Sequence, residues 1–304
     1  MTRVVVCGSL NMDVVVQSAR RPLPGETVLD AEVAFLPGGK GLNQAIAAAR
    51  LGPPTSIFGA VGDDAFGNTL RGFLADNNVD TLGLHVVTGQ ASGLALIQVA
   101  QGDNAITVAS GANRYFSEIM VSAEPRPSEV WVAQFETPLE ATRIIMRKAR
   151  QAGARTVLNM APFQSYPAAL LKSIDVAVLN EIELTQATDI TIGTSSALST
   201  VVEACHKLRA KGARAVVATL GPRGAVVVTA ESATAIPGAK ADVIDTTGAG
   251  DCFIGAFAAR LVVGATPVEA AQYANVAAAR SVERLGAAPS MPTAKEVAAR
   301  LASA

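Results

Sequence analysis

The stretch DTTGAGDCFIGAF, Asp245 to Phe257, organises the reading of this chain. A strand-like ADVID segment (241–245) enters it, and an apolar helix, predicted from Gly248 to about Val263, leaves it. Gly248, Ala249 and Gly250 carry small or absent side chains, so the backbone can turn sharply and bring its N–H groups close to an anion. The first turn of a helix adds unpaired N–H donors and the positive end of the dipole. Such a turn can hold a phosphoryl group as charge shifts over its oxygens, and Asp251 sits beside it. Two plainer readings stand next to this one: Asp251 as a carboxylate favoured by the helix dipole alone, and the glycines as close helix–sheet packing. A dinucleotide fingerprint would need glycine where Phe253 stands, and a phosphate loop of the Gly-Lys-Ser/Thr kind fails because Gly41 follows Gly39-Lys40.

Outward from this stretch, short β-rich runs alternate with Ala-rich helical ones. The strand-like runs are Val4–Cys7, Ser56–Val61, Val130–Ala133, Thr156–Asn159, Val176–Leu179, Ala215–Leu220 and Ala225–Val228. Helical runs at Asn43–Leu51, Ala65–Asp76, Leu139–Gln151 and Ser196–Lys211 lie among them. This alternation predicts a doubly wound α/β fold with a mostly parallel sheet. Two regions interrupt it. Val28–Phe35 has no helix before it, and Leu82–Val87, Leu94–Ala100 and Ala105–Val108 read as short antiparallel strands separated by Gly-containing turns. These pieces predict a small sheet, from about 13–36 and 82–112, covering a site at the carboxyl ends of the parallel strands. The last third is expected to close with two helices, the second opening at Pro267 and running to about Glu283. No linker marks a boundary, so 1–304 reads as a single domain.

Composition narrows the function. Of 304 residues, 50% are hydrophobic and only 4% aromatic, which suits a sheet packed under small-residue helices. A formal net charge of -1 with no basic block argues against nucleic acid and membrane-surface partners. Cys7, Cys205 and Cys252 form no CxxC pair and read as reduced thiols in a cytoplasmic protein. His85 and His206 are isolated, so no zinc constellation is visible.

A second glycine-rich signal, PGGKGLNQAIAAARLG, spans Pro37 to Gly52. Its plain reading is a turn before a helix, with Lys40 solvated and Asn43 near the helix start. With GSLNMD (Gly8–Asp13), PLPGETV (Pro22–Val28), QFETP (Gln134–Pro138), LNMAP (Leu158–Pro162), LNEIE (Leu179–Glu183) and TLGPRG (Thr219–Gly224), the two signals stand in one order along nearly the whole chain. In that order the chain resembles the ribokinase-like, phosphofructokinase-B-type family of carbohydrate kinases. Two positions depart from the family's pattern: Met160 stands where Pro is frequent, and Leu179 precedes Asn180 where Pro is frequent.

The resemblance implies roles for named residues. Asn11 and Asp13 hold sugar hydroxyls, Asp13 through both carboxylate oxygens, while Gly39, Lys40, Asn43 and Glu136 complete the sugar pocket. Asp251 is the catalytic base, and Gly248, Ala249 and Gly250 form the anion hole. Asn180 and Glu183 act near the ATP phosphates, Glu183 helping to place Mg2+ through water. Thr219, Gly221 and Gly224 shape the nucleotide site, with Asn275 near the adenine. An activating K+ is framed by Asp245 and Thr247 on one side and by Ser281, Arg284, Gly286 and Ser290 on the other. The implied reaction is transfer of the γ-phosphate of ATP to the primary 5-hydroxyl of D-ribose, by a homodimer joined through Val28–Phe35 and Leu82–Val108. Deoxyribose, another pentose, a ketohexose, a sugar acid or a nucleoside remain alternative acceptors. The scarcity of aromatics weighs against the nucleoside. Outside catalysis, a sugar-binding regulator on the same fold is the alternative; the intact Asp251 and Gly248–Gly250 turn argue against it, and the incomplete dinucleotide fingerprint argues against an oxidoreductase.

Overall fold

Each apolar run of the alternating pattern becomes a strand of one large sheet. The computed structural model describes residues 2–101 and 103–302. In chain order its strands are β1 (Arg3–Cys7), β2 (Asn11–Gln17), β3 (Glu32–Gly38), β4 (Thr55–Gly62), β5 (Val79–Val87), β6 (Gly93–Ala100), β7 (Asp103–Ala109), β8 (Glu129–Ala133), β9 (Arg155–Asn159), β10 (Val176–Asn180), β11 (Ala215–Thr219), β12 (Ala225–Val228) and β13 (Ala233–Ile236). The helices are α1 (Lys40–Arg50), α2 (Ala65–Asp76), α3 (Leu139–Gln151), α4 (Glu181–Thr188), α5 (Leu198–Arg209), α6 (Ala249–Val262), α7 (Pro267–Ser281) and α8 (Ala294–Ala302).

The large sheet has nine strands in the order β13-β12-β11-β10-β9-β8-β1-β4-β5. Neighbours from β11 to β5 run parallel, and β12 and β13 are added antiparallel at one edge. Both faces are covered, which explains why its central strands are uninterrupted apolar runs. The two-residue period divides β1 between them: Val4 and Val6 enter the core under α1, α6 and α7, while Val5 and Cys7 enter the core under α3 and α5. Strand order reverses at β1, with β4 on one side and β8 on the other. In open α/β sheets such a reversal leaves a crevice beyond the carboxyl ends of the strands.

The small sheet has four strands in the order β3-β2-β6-β7. It corrects the expected boundaries in three ways. Leu82–Val87 belongs to β5, a half-exposed edge strand of the large sheet parallel to β4. The second segment of the small sheet is therefore 93–109, in which β6 and β7 pair antiparallel as expected, while β6 pairs parallel with β2. The strand expected at Val28–Phe35 lies at Glu32–Gly38. Gly102, between β6 and β7 in the chain, lies outside the described residues. Register puts Asp13, Leu36, Ala95 and Val108 in one row on one face, and Val14, Phe35 and Leu96 on the opposite face.

Two further expectations are corrected. The ADVID segment is not a strand: Val243 and Ile244 are exposed, and the N–H groups of Ile244 and Asp245 both donate to the Val282 carbonyl instead of to a neighbouring strand. A third helix, α8, follows the two expected at the end. Among the described residues no helix is long and apolar enough to cross a membrane.

Candidate active site

The carboxyl ends of β1, β8, β9, β10 and β11 deliver Ser9, Glu136, Asn159, Asn180 and Thr219 to one edge of the sheet. Two helix N-termini, those of α1 and α6, complete that edge. The α6 start is as the sequence predicted: Gly248 is the N-cap, in the left-handed conformation at φ 75°, and Asp251 lies in the first turn. An L side chain is strained at that φ, and a Cβ there would sit 2.8 Å from the Cβ of Ala287. A Cβ on Gly250, by contrast, would meet nothing within 4 Å, so the turn is open toward the crevice.

Asp251 is buried, and both carboxylate oxygens accept hydrogen bonds from α1. Asn43 Nδ2 donates to Oδ2 at 2.9 Å, and Gln44 Nε2 donates to Oδ1 at 2.8 Å. These contacts depend on close passage of α1 and α6. At Gly255, one turn below Asp251, a Cβ would lie 2.5 Å from both the Ala47 Cβ and the Gln44 carbonyl oxygen.

Around Asp251 stands a charged group drawn from three parts of the fold. Asp13 comes from the small sheet, Lys40 from the first residue of α1, and Glu136 from the segment after β8. Glu136 Oε2 accepts from Ser9 Oγ at 2.5 Å and from the Lys40 backbone N–H at 3.3 Å. Burial pushes the Asp13 carboxyl up to about 7, with Glu136 and Asp251 adding to the rise and Lys40 opposing it. Burial pulls the Lys40 ammonium down, but Asp251, Glu136, Glu183 and Asp13 outweigh it and leave Lys40 above its usual range. The expected sugar residues Asn11, Asp13, Gly39, Lys40, Asn43, Glu136 and Asp251 are thus brought together. Gly39 is the N-cap of α1, and Asn11 pairs with Gly38 across β2 and β3.

Asn180 and Glu183 form a capping box on α4. Asn180 Oδ1 accepts from the Glu183 N–H at 2.8 Å, and Glu183 Oε2 accepts from the Asn180 N–H at 2.9 Å. Burial raises the Glu183 carboxyl, against the pull of the Asn180 N–H and Lys40. Thr219 pairs with Asn180 across β10 and β11. Gly221 and Gly224 bound the tight turn into β12, Gly224 backs onto Pro237, and Asn275 Nδ2 donates to the Pro237 carbonyl at 2.9 Å.

Asp245 staples the turn before α6 to the 281–290 loop. Its Oδ1 accepts from the Thr247 N–H at 2.9 Å and its Oδ2 from the Gly286 N–H at 2.8 Å. Burial opposes ionisation of Asp245, but these donors together hold its carboxyl below the usual range. The side chains of Ser281 and Ser290 bond back to the Ala278 and Ala287 carbonyls, and Arg284 is ion-paired with Glu296. The Arg284 guanidinium is therefore committed within the protein, while the two serine oxygens, which donate in these bonds, keep lone pairs.

Sequence reading passed over several residues that shape the site. Asn113 Oδ1 accepts from the Leu10 N–H at 3.0 Å, and its Nδ2 donates to the Leu10 carbonyl and to Asn11 Oδ1. It therefore orients the Asn11 amide from 102 residues away, with no local signal. Ser9, Gln44, Gln134 and Asn159 lay inside quoted motifs but had no role.

The model of the pfkB family of carbohydrate kinases matches residues 1–294. The chain belongs to that family. A ribokinase of Haemophilus influenzae is 36% identical over 295 residues, covering 96% of this chain and 95% of the relative. One of Bacillus subtilis is 34% identical over 300 residues, covering 98% of each. Among solved structures, Arabidopsis thaliana ribokinase complexed with ribose and ATP superposes with a TM-score of 0.90 at 31% identity, covering 99% of this chain and 98% of that one. Family membership makes the chain a phosphotransferase acting on a sugar hydroxyl, and the crevice at β1 is where its carboxylates and open helix N-terminus converge.

Proposed function

We propose that this chain transfers the γ-phosphate of ATP to the 5-hydroxyl of ribose. The observation that carries the reading is Asp251: a buried carboxylate held by two amides, in the first turn of a helix whose N-terminal turn is open. The full-length ribokinase relatives supply the choice of substrates.

The acceptor oxygen attacks the γ-phosphorus, and its proton goes to Asp251. The bond from the γ-phosphorus to the bridging oxygen breaks, and its electron pair leaves with ADP. The transition state of such transfers is loose, so positioning and charge stabilisation contribute more than base strength. The N–H groups following Gly248 face the transferred phosphoryl group. Asp13 takes two neighbouring sugar hydroxyls with its two oxygens, under the small sheet. Asn43 Oδ1 is buried without a partner and is free to accept from another hydroxyl. Three carboxylates, Asp13, Glu136 and Asp251, face one ammonium, Lys40. That balance favours a neutral polyol and disfavours a sugar acid.

Among the described residues no group of three or more His, Cys, Asp or Glu side chains could hold a metal ion. This donor set fits Mg2+ carried mainly by ATP phosphates and water, with Glu183 offering a carboxylate. When bound, the ion neutralises phosphate charge. A monovalent cation such as K+ fits beside Asp245, whose neighbours in the 281–290 loop offer backbone carbonyls. The Arg284 side chain is paired with Glu296 and has no acceptor, so it would contribute through the main chain, whereas the Ser281 and Ser290 hydroxyls keep lone pairs for a cation. Val33, Phe35 and Leu96 are exposed on the face of the small sheet opposite Asp13, which supports a homodimer through that sheet. The three buried, unpaired cysteines support a reducing, cytoplasmic setting.

The test is ADP release across a panel of sugars, with Asp251→Asn alongside. Ribose is expected to be turned over best, and the variant to lose about a hundredfold or more in kcat. Near-normal turnover by Asp251→Asn would remove Asp251 as the base.

A further inference from the structure

A chain of buried amides stands behind Asp251. Gln44 is fully buried, and both polar atoms of its side chain have partners. Its Nε2 donates to Asp251 Oδ1 at 2.8 Å and to Asn159 Oδ1 at 3.1 Å. Its Oε1 accepts from Gln134 Nε2 at 2.7 Å. Gln134 stands just after β8, Asn159 ends β9 and Gln44 lies in α1. Three elements thus converge through one side chain on a carboxylate carried by a fourth. These residues explain parts of the QFETP, LNMAP and PGGKGLNQA motifs that sugar or nucleotide contact leaves unused.

We propose that Gln44 is a positioning residue for phosphoryl transfer, with Gln134 acting through it to fix the orientation of the Asp251 carboxylate. The inference rests on the kinase reading. An aspartate side chain turns about two bonds, and a base in this reaction must keep a lone pair on the acceptor hydroxyl. Asn43 holds one oxygen and Gln44 the other, so together they fix the carboxylate plane. A glutamine amide can present either end. The Asp251 carboxylate only accepts, and Asn159 turns its Nδ2 to the Val178 carbonyl and its Oδ1 to Gln44, so Gln44 must turn Nε2 to both and Oε1 to the Gln134 amide. The reversed amide would set oxygen against the carboxylate and nitrogen against nitrogen. Asn159 takes the second Nε2 hydrogen and completes the lock.

The experiment compares Gln44→Met, Gln134→Met, the double variant and Gln44→Glu by steady-state ADP release, thermal unfolding and crystallography. Gln44→Met keeps length without the amide. It is expected to lower kcat by roughly ten- to a hundredfold, the scale of a small misplacement, with KM for sugar and ATP within about threefold. Gln134→Met is expected to lower kcat less. The double variant should match Gln44→Met alone, because Gln134 acts through Gln44; it also leaves no donor facing an apolar side chain, which guards against misfolding. Gln44→Glu preserves shape but sets a second carboxyl beside Asp251, where like charges share a proton. Positioning therefore ranks Gln44→Glu far below the unsubstituted chain at neutral pH, whereas a packing role ranks it close to normal. In the crystal structure of Gln44→Met the Asp251 carboxylate should be turned from its present plane while the α6 backbone stays in place.

A folded Gln44→Met with unchanged kcat, a near-normal Gln44→Glu, or independent effects of the Gln44 and Gln134 changes would overturn the inference. If the unsubstituted chain releases no ADP with any sugar, the kinase reading fails. The orientation of Asp251 in the variant crystal then decides the positioning role by itself.

Discussion

Gly255→Ala tests whether the distance between α1 and α6 sets the catalytic geometry. An added Cβ would lie 2.5 Å from the Ala47 Cβ, 2.5 Å from the Gln44 carbonyl oxygen and 2.9 Å from the Ala48 nitrogen. Two of these are backbone atoms, so no side-chain rotation relieves them. Carbon atoms rest at about 3.5–4.0 Å, so α1 must retreat by roughly 1 Å. The same helix carries Asn43 and Gln44, which now reach Asp251 at 2.9 and 2.8 Å. A retreat of that size stretches both contacts to roughly 3.8 Å, beyond hydrogen-bonding range. Misplacement on this scale costs about a hundredfold in rate, and the loss is expected in kcat.

Stability should change much less. Overpacking costs about 1–3 kcal/mol, offset by about 0.5–1 kcal/mol from replacing glycine inside a helix. A fall of a few degrees in Tm follows, taking about 2–4 °C per kcal/mol for chains of this order. Gly72→Ala is the control: Gly72 lies on the exposed side of α2, and a Cβ there meets nothing within 4 Å. It should raise Tm slightly and leave kcat unchanged. Steady-state ADP release and thermal unfolding on the three proteins decide the matter. A Gly255→Ala chain with normal kcat and a raised Tm would refute the argument that this helix contact holds Asp251 in place for the proposed reaction.

Three further outcomes are expected. Burial raises Asp13 to about 7 from 3.8, so its ionisation costs the fold stability that is intact below pH 3.8 and lost as pH rises through about 7; Asp13→Asn should gain Tm over the unsubstituted chain from about pH 4 upward, with the gain levelling off above 7, and a pH-independent difference would contradict this. If Asp13 accepts two sugar hydroxyls, ribose should exceed 2-deoxyribose in kcat/KM by roughly ten- to two-hundredfold, at about 1.5–3 kcal/mol for the one lost charged hydrogen bond, and Asp13→Ala should flatten the preference; equal use of both sugars by the unsubstituted chain would favour a deoxyribose kinase. Potassium should raise kcat over sodium-only buffer, and Asp245→Asn should reduce that response by loosening the Thr247 and Gly286 contacts; identical rates in potassium, in sodium and without either would remove the cation from the mechanism.

What the sequence made legible, and what it hid, follows from the range of the forces involved. β1, β4 and β8 are buried on both faces, so their apolar runs are continuous and need no partner to be recognised. Leu82–Val87 was misassigned because an edge strand is half exposed: its mixed pattern looks like that of a small-sheet strand, and only pairing with β4 separates the two. Val243 and Ile244 carry β propensity, but among the described residues no strand pairs with them, so the propensity has nothing to act on. The same division runs through the site. The turn at Gly248 and the carboxylate of Asp251 are local, and a local pattern announces them. Gln44 reaches Asp251 across 207 residues and Gln134 across 90, and Asn113 reaches Asn11 across 102. An amide's role in each case is which end it turns to a distant neighbour, and no spacing along the chain encodes that. The residues of this candidate site were therefore readable from short motifs, while the amides that orient them became visible only when the fold brought the motifs side by side. That is also why, under the proposed reaction, the amides behind Asp251 rather than Asp251 itself are where substitution can separate the presence of the carboxylate from its orientation.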